Sequence, residues 1–165
     1  MTASLGERAI EAAALLMESI RTGGGWSTES GALVRRSPVA VGLDADDLYW
    51  QTLVYEGRED LTGYNGGPVT KASGRIQVRQ QLNVDTFTVA DPGRESIQYQ
   101  AIKADTRKAL STASGALSDA AGVICGVEHL GAEFIADVPV KGVIGVRTRI
   151  ICNYIEAWGN PARAP

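Results

Sequence analysis

The stretch from Arg75 to Val89, RIQVRQQLNVDTFTV, constrains the fold more than any other. Its even positions are Ile76, Val78, Gln80, Leu82, Val84, Thr86 and Thr88. Its odd positions as far as Asp85 are all polar: Arg75, Gln77, Arg79, Gln81, Asn83 and Asp85. A period of two sends alternate side chains to opposite faces of a strand, so the segment reads as one strand with a dry face and a wet face. It is about twice the usual strand length of roughly five to six residues. Such a strand needs neighbours on both edges and a cover for its dry side.

The rest of the chain supplies both. A helix is expected over 4–22, where Ser4 and Glu7 form a capping box and Leu5, Ala9, Ala12, Ala13, Leu16 and Ile20 make one apolar stripe, stopped by Gly23-Gly24-Gly25. Residues 26–38 read as a polar connector, and strands are expected over 39–56: a short one at Val39–Val41, then LYWQTLVYE, whose two faces are both largely apolar. A strand of that kind is buried on both sides, or buried on one side with the other in a subunit interface. The glycine-rich segment 57–74 reads as a long flexible loop around Tyr64, either mobile or ordered against a partner. After the 75–89 strand, Asp91 and Pro92 suit a helix start, and a helix over 92–110 is placed to cover the dry face. Two strands follow over 123–155, the first bent at Gly126 or Gly131. The second, VIGVRTRIICNYI, repeats the alternation of 75–89, so the two belong in one sheet with the same face inward. Residues 156–165 are a tail. The expected fold is a single α+β domain over 1–165, with a mixed or antiparallel sheet of four to five strands and two helices packed on one face.

A chain of 165 residues has enough length for a real core. The net charge of −3 gives no support for a surface that coats DNA. Cys125 and Cys152 each sit in an apolar strand-like run and read as buried free thiols. No run is long and apolar enough to span a bilayer, and the N-terminal segment lacks the basic start of a secretory leader, so no membrane partner and synthesis in a cytoplasm are expected.

No constellation of catalytic residues stands out. His129 is the only histidine, with no nucleophile at hydrogen-bonding spacing. One histidine and two separated cysteines do not make a zinc site, Asp44, Asp46 and Asp47 lack the rest of a calcium loop, and the triple glycine follows a helix where a phosphate loop follows a strand. No catalytic residue, metal or cofactor is assigned. What remains is the wet sheet face, with Arg75, Gln77, Arg79, Arg147 and Arg149. Arginines on such a face either pair across strands with acids or sit at a subunit contact.

As a pattern of elements, the chain resembles the phage tail terminator (tail completion) family, the minor tail proteins that cap the head-proximal end of a tail tube. The resemblance rests on the capped helix SLGERAIEAAALLMESI, the aromatic strand and acidic turn LYWQTLVYEGRED, and the long strand RIQVRQQLNVDTFTV with its following Asp-Pro and helix. The closing block GVEHLGAEFIADVPVKGVIGVRTRIICNYIE completes it, and together they cover about residues 4 to 156. It implies a structural virion subunit that assembles as a ring, usually of six, on the last layer of the tail tube. Such a ring stops tube polymerisation, offers a docking surface to the head connector or stopper, meets the sheath where the tail contracts, and lets DNA pass through its lumen without sequence-specific binding. The protein would then reside in the virion neck after assembly in the host cytoplasm. Candidate subunit-interface or lumen residues are Trp50, Tyr55, Glu56, Arg58, Tyr64, Arg75, Arg79, Arg147 and Arg149. A head-completion or stopper neck protein is the neighbouring reading, and a small ligand-binding or enzymatic α+β domain, with the two helices framing a pocket, is the reading of a different class.

Overall fold

In the computed structural model, the described residues are 3–40, 49–63, 68–69, 74–111, 117 and 126–157. Helix α1 (Leu5–Glu18) opens with the expected capping box: the Glu7 N–H donates to Ser4 Oγ at 3.1 Å and the Ser4 N–H to Glu7 Oε2 at 2.7 Å. It ends earlier than the glycine triplet suggested, at Ser19, and Thr22–Gly24 form a short 3-10 turn closed by Gly25 at φ 81°. Leu5, Ala9, Ala12, Ala13 and Met17 are its buried stripe.

Among the described residues five strands form one mixed sheet: β1 (Val34–Arg35), β2 (Trp50–Gly63), β3 (Arg75–Val89), β4 (Gly126–Phe134) and β5 (Val143–Ala157), in the order β1-β2-β3-β5-β4. Only β1 runs parallel to its neighbour. The 75–89 strand is the central one, flanked over its whole length by β5 and over most of it by β2. Its register with β5 is unbroken from Arg75↔Ala157 to Val89↔Val143 and pairs even positions with even positions. The inward faces therefore coincide, as the shared alternation required. Helix α2 (Glu95–Ala109) and α1 pack on that side, α1 against β1 and β2, α2 against β4 and β5. The core between them holds Leu5, Ala13, Met17 and Ile20 of the first helical segment, Val54, Val78, Leu82, Val84, Ile150 and Cys152 of the sheet, and Ala109, Leu110 and Leu117. Each large apolar side chain withdrawn from water there contributes roughly 1.5 to 3 kcal/mol. Cys152 is a buried free thiol; Cys125 lies outside the described residues.

Several local expectations are corrected. The segment 57–74 is not a loop from its start: β2 runs on to Gly63 and pairs with β3 as far as Gly63↔Ile76. A bulge between Glu56 and Glu59 hides the continuation, because one extra residue breaks the period-two pattern. Gly57 stands at that bulge, where an added Cβ would meet the Asn83 and Gln81 side chains at 2.9 and 3.0 Å. The short strand falls at Val34–Arg35, inside the supposed connector; Val39 is not in a strand, and Val41 lies outside the described residues. Helix α2 begins at Glu95, not at Pro92, and its N-cap is Arg94 without a side-chain cap; Asp91 instead accepts the Arg94 N–H through its carbonyl. The last strand takes in Glu156 and Ala157, assigned above to the tail.

The wet face of β3 is wet only at one end. Asn83, Asp85 and Phe87 are all buried. A second, smaller cluster covers this end of the outer face: Leu53, Phe87 and Val143, packed by Ala40, Tyr55 and by Ile135, Val138 and Val140 of the β4–β5 connection. Gly145 lets that connection close, since a Cβ there would lie 2.9 Å from the Phe87 ring and 3.0 Å from Val138. The strand at Leu53–Val54 is thus buried on both sides within the subunit, at 1% and 0% exposure, the first of the two alternatives that its apolar faces offered.

Candidate functional site

The outer face of the sheet carries the arginines singled out from the sequence, and each of three is met by a carboxylate from another strand, adjacent for Arg147 and Arg149 and one strand further across for Arg79. Arg147 on β5 and Asp85 on β3 are register partners. Arg147 Nε donates to Asp85 Oδ1 at 2.8 Å and Nη2 to Asp85 Oδ2 at 2.7 Å, a two-pronged pair in which the carboxylate is almost fully buried. Tyr55 on β2 donates its hydroxyl to Asp85 Oδ2 at 2.9 Å and accepts from Arg147 Nη2 at 3.1 Å. Burial, then the Asp85 carboxylate it donates to, push the Tyr55 hydroxyl above the usual phenol range. The hydrogen bonds to Asp85 hold Arg147 still more firmly protonated.

Moving along the same face, Arg149 pairs with Glu133 of β4. Arg79 Nη2 donates to Glu128 Oε2 at 3.1 Å, and Asn153 Nδ2 donates to Glu128 Oε1 at 2.6 Å. The face is therefore a cross-strand ladder in which three guanidiniums and three carboxylates cancel. A shallow cavity of about 410 Å³ opens in it at the β4 bulge, lined by Gln81, Leu130, Glu133, Arg147 and Arg149. The bulge lies between His129 and Gly131, and Gly131 adopts φ 137°, a conformation that suits glycine.

The other candidates scatter. Trp50 is half-buried at the start of β2, opposite Thr88 on the helix side. Glu56 is exposed and accepts from Gln80 Nε2 at 3.1 Å; Arg58 is exposed and pairs with Asp60 at 2.8 Å. Arg75 is exposed opposite Ala157 at the far end of the ladder. Tyr64 lies outside the described residues, as do Asp44, Asp46 and Asp47. Asp85, Glu128 and Glu133, the partners that make the face neutral, were not singled out. Their signal was present for Asp85, which occupies the same odd series as the arginines, but matching it to Arg147 requires the strand register.

His129 belongs to the opposite, helix-covered side, where it pairs in register with Ile150. Its Nδ1 is buried without a hydrogen-bond partner among the described residues, and burial, then the Arg107 charge, hold its pKa below the usual imidazole value. Among the described residues no group of three or more His, Cys, Asp or Glu side chains is placed to hold a metal ion. A second cavity, about 620 Å³, lies between the start of α1 and β2, lined by Glu7, Ile10, Arg36, Pro38, Tyr55 and Glu56. No helix among the described residues is long and apolar enough to cross a membrane. No protein-family model and no curated protein matches the chain.

Proposed function

We propose that the chain is a structural subunit of a phage tail, a terminator that assembles as a ring on the head-proximal end of the tail tube, stops tube growth and receives the head connector. The observation that supports this reading best is the self-neutralised outer face of the sheet. A channel wall over which DNA must slide needs polar side chains without free cations, because each phosphate contact made by lysine or arginine adds to binding. Arg79, Arg147 and Arg149 are each engaged by a carboxylate, so this face is hydrated and nearly neutral. The two helices stand on the other side of the sheet, which leaves them to the outside of such a ring. DNA is then a passing occupant of the lumen; the lasting partners are further copies of the chain, the tube protein below and the connector or stopper above.

The test is deletion of the gene from its phage, with tails examined by electron microscopy. Loss of a terminator yields overlong tails that the plasmid-borne gene restores to normal length. Tails of normal length on heads that leak DNA would assign the chain to the stopper position, and unaltered virions would remove it from the neck.

A further inference from the structure

The two ends of the sheet are unlike each other. At one end, β1 covers only Thr52 and Leu53 of β2, so among the described residues no strand pairs with the free edge of β2 from Val54 to Gly63. This edge is acidic. Within residues 54–63 Glu56, Glu59 and Asp60 are exposed with Arg58 as the sole cation, a net charge of −2, while the neighbouring Arg36 is paired with Glu11 at 3.7 Å. By register, Glu56 and Glu59 point to the helix-bearing side, where they are joined by Glu156 of β5. Asp60 is offset by Arg58, but no cation pairs with Glu59 or Glu156 among the described residues. At the other end, the outer edge of β4 also has no strand partner among the described residues. The carboxylates of β4 are already engaged, Glu128 by Arg79 and Glu133 by Arg149. Above β4 stands α2, whose Tyr99 stacks on Phe134 at 4.6 Å. Lys103 lies over the Tyr99 ring at 5.3 Å, and Arg107 is one turn further along the same stripe. No carboxylate pairs with Lys103 or Arg107 among the described residues; Phe134 is exposed beside Tyr99, and Leu130 is exposed at the β4 bulge.

We infer that the acidic free edge of β2 in one copy docks against the Lys103–Arg107 stripe of α2 beside β4 in the next, so that copies join head to tail through opposite ends of the sheet. This rests on the ring reading above and specifies its contact. The charges complement, and they lie on the same side: when β2 of one copy is set beside β4 of its neighbour with the helix-bearing faces aligned, Glu56 and Glu59 face the neighbour's α2, where Lys103 and Arg107 project. The exposed Leu61, Leu130 and Phe134 lie at the two edges that come together. A contact between two different patches repeats around an axis and closes into a ring where the rotation permits, whereas a contact between identical patches stops at a dimer.

The experiment compares the wild-type chain with two charge-reversal pairs, E56K/E59K on β2 and K103E/R107E on α2, and with the chain carrying all four changes. Folding is checked by circular dichroism, and assembly is followed by sedimentation velocity over a concentration series. Each pair alone brings like charges together and raises the concentration needed for assembly by roughly a hundredfold. The fourfold variant restores it, and an equimolar mixture of the two pair variants assembles where neither does alone. If wild type forms rings and the pair variants form them equally well, the ring reading survives and this contact is wrong. If the pair variants fail and neither the fourfold variant nor the mixture recovers, the edges do not face each other. A wild-type chain that stays monomeric throughout overturns the ring and the contact together.

Discussion

At the residue scale, the chemistry concentrates on Asp85. It sits almost fully buried and is held by two donors from Arg147 and one from Tyr55. Removing one member of such a pair strands the other away from water, which costs more than the pair contributes. Asp85→Ala should therefore destabilise the fold by about 3 kcal/mol, since Arg147 keeps some access to solvent. Tyr55→Phe removes two charge-assisted hydrogen bonds, one to Asp85 and one from Arg147, and should cost about 2 kcal/mol. Urea denaturation of both variants checks the ranking, and an Asp85→Ala protein as stable as wild type would contradict it. Arg79 differs: it and Glu128 are each about half exposed, so reversing Arg79 should leave stability nearly unchanged. His129 gives a pH signature. Its folded pKa lies below its unfolded value of about 6.5, so its neutral form is the one the fold favours. Its contribution is intact above about pH 6.5 and is lost as pH falls from there towards the folded pKa, where the unfolded chain binds the proton first. Glu156, raised by burial and by Glu59, acts with the opposite sign, favouring the fold at low pH and losing that contribution as pH climbs above about 4.5. Comparing His129→Gln with wild type isolates the histidine: the variant should lose less stability between pH 7 and 5.

At the element scale, α1 depends on its cap. Ser4→Ala removes the side-chain half of the capping box and should cost about 1 kcal/mol, read from the thermal denaturation midpoint. Gly145→Val should destabilise by roughly 1 to 3 kcal/mol, because the side chain would enter the space of the Phe87 ring and Val138. Its loss should fall on the β4–β5 connection first, seen as faster hydrogen exchange at Ile135, whose N–H donates to Gly145 at 2.8 Å. The alternation of β3 and β5 was legible in the sequence because period two survives wherever one face is buried against helices, and it carried both the register parity and the helix-covered side. β2 beyond Glu56 was not legible, since the bulge shifts the phase of the pattern and the glycines imitate a loop. The second cluster around Phe87 was not legible either. It is built from Ala40, Leu53 and the 135–140 connection, residues far apart in sequence that no local period brings together. The arginine face was legible as a polar surface, but its neutrality was not, because neutrality depends on which strands are neighbours.

At the scale of the whole molecule, one sheet presents two different sides and two different ends. The helix-bearing side supplies stability through the larger core, and among the described residues the outer side is polar, paired and largely uncovered apart from its Phe87 end. Glu56 and Glu59 at one end and Lys103 and Arg107 at the other are opposite in sign, which suits association between unlike patches, and salt should weaken that association because such charges are screened at a surface. The central claim is that copies of the chain surround a channel lined by the Arg79, Arg147 and Arg149 face. Electron cryomicroscopy of the assembled protein tests it most directly. The account predicts closed rings of about six subunits, with that sheet face turned to an open lumen and both helices outside. A density map that shows those three arginines packed between subunits, or turned to the outer wall with the helices lining the lumen, would contradict it.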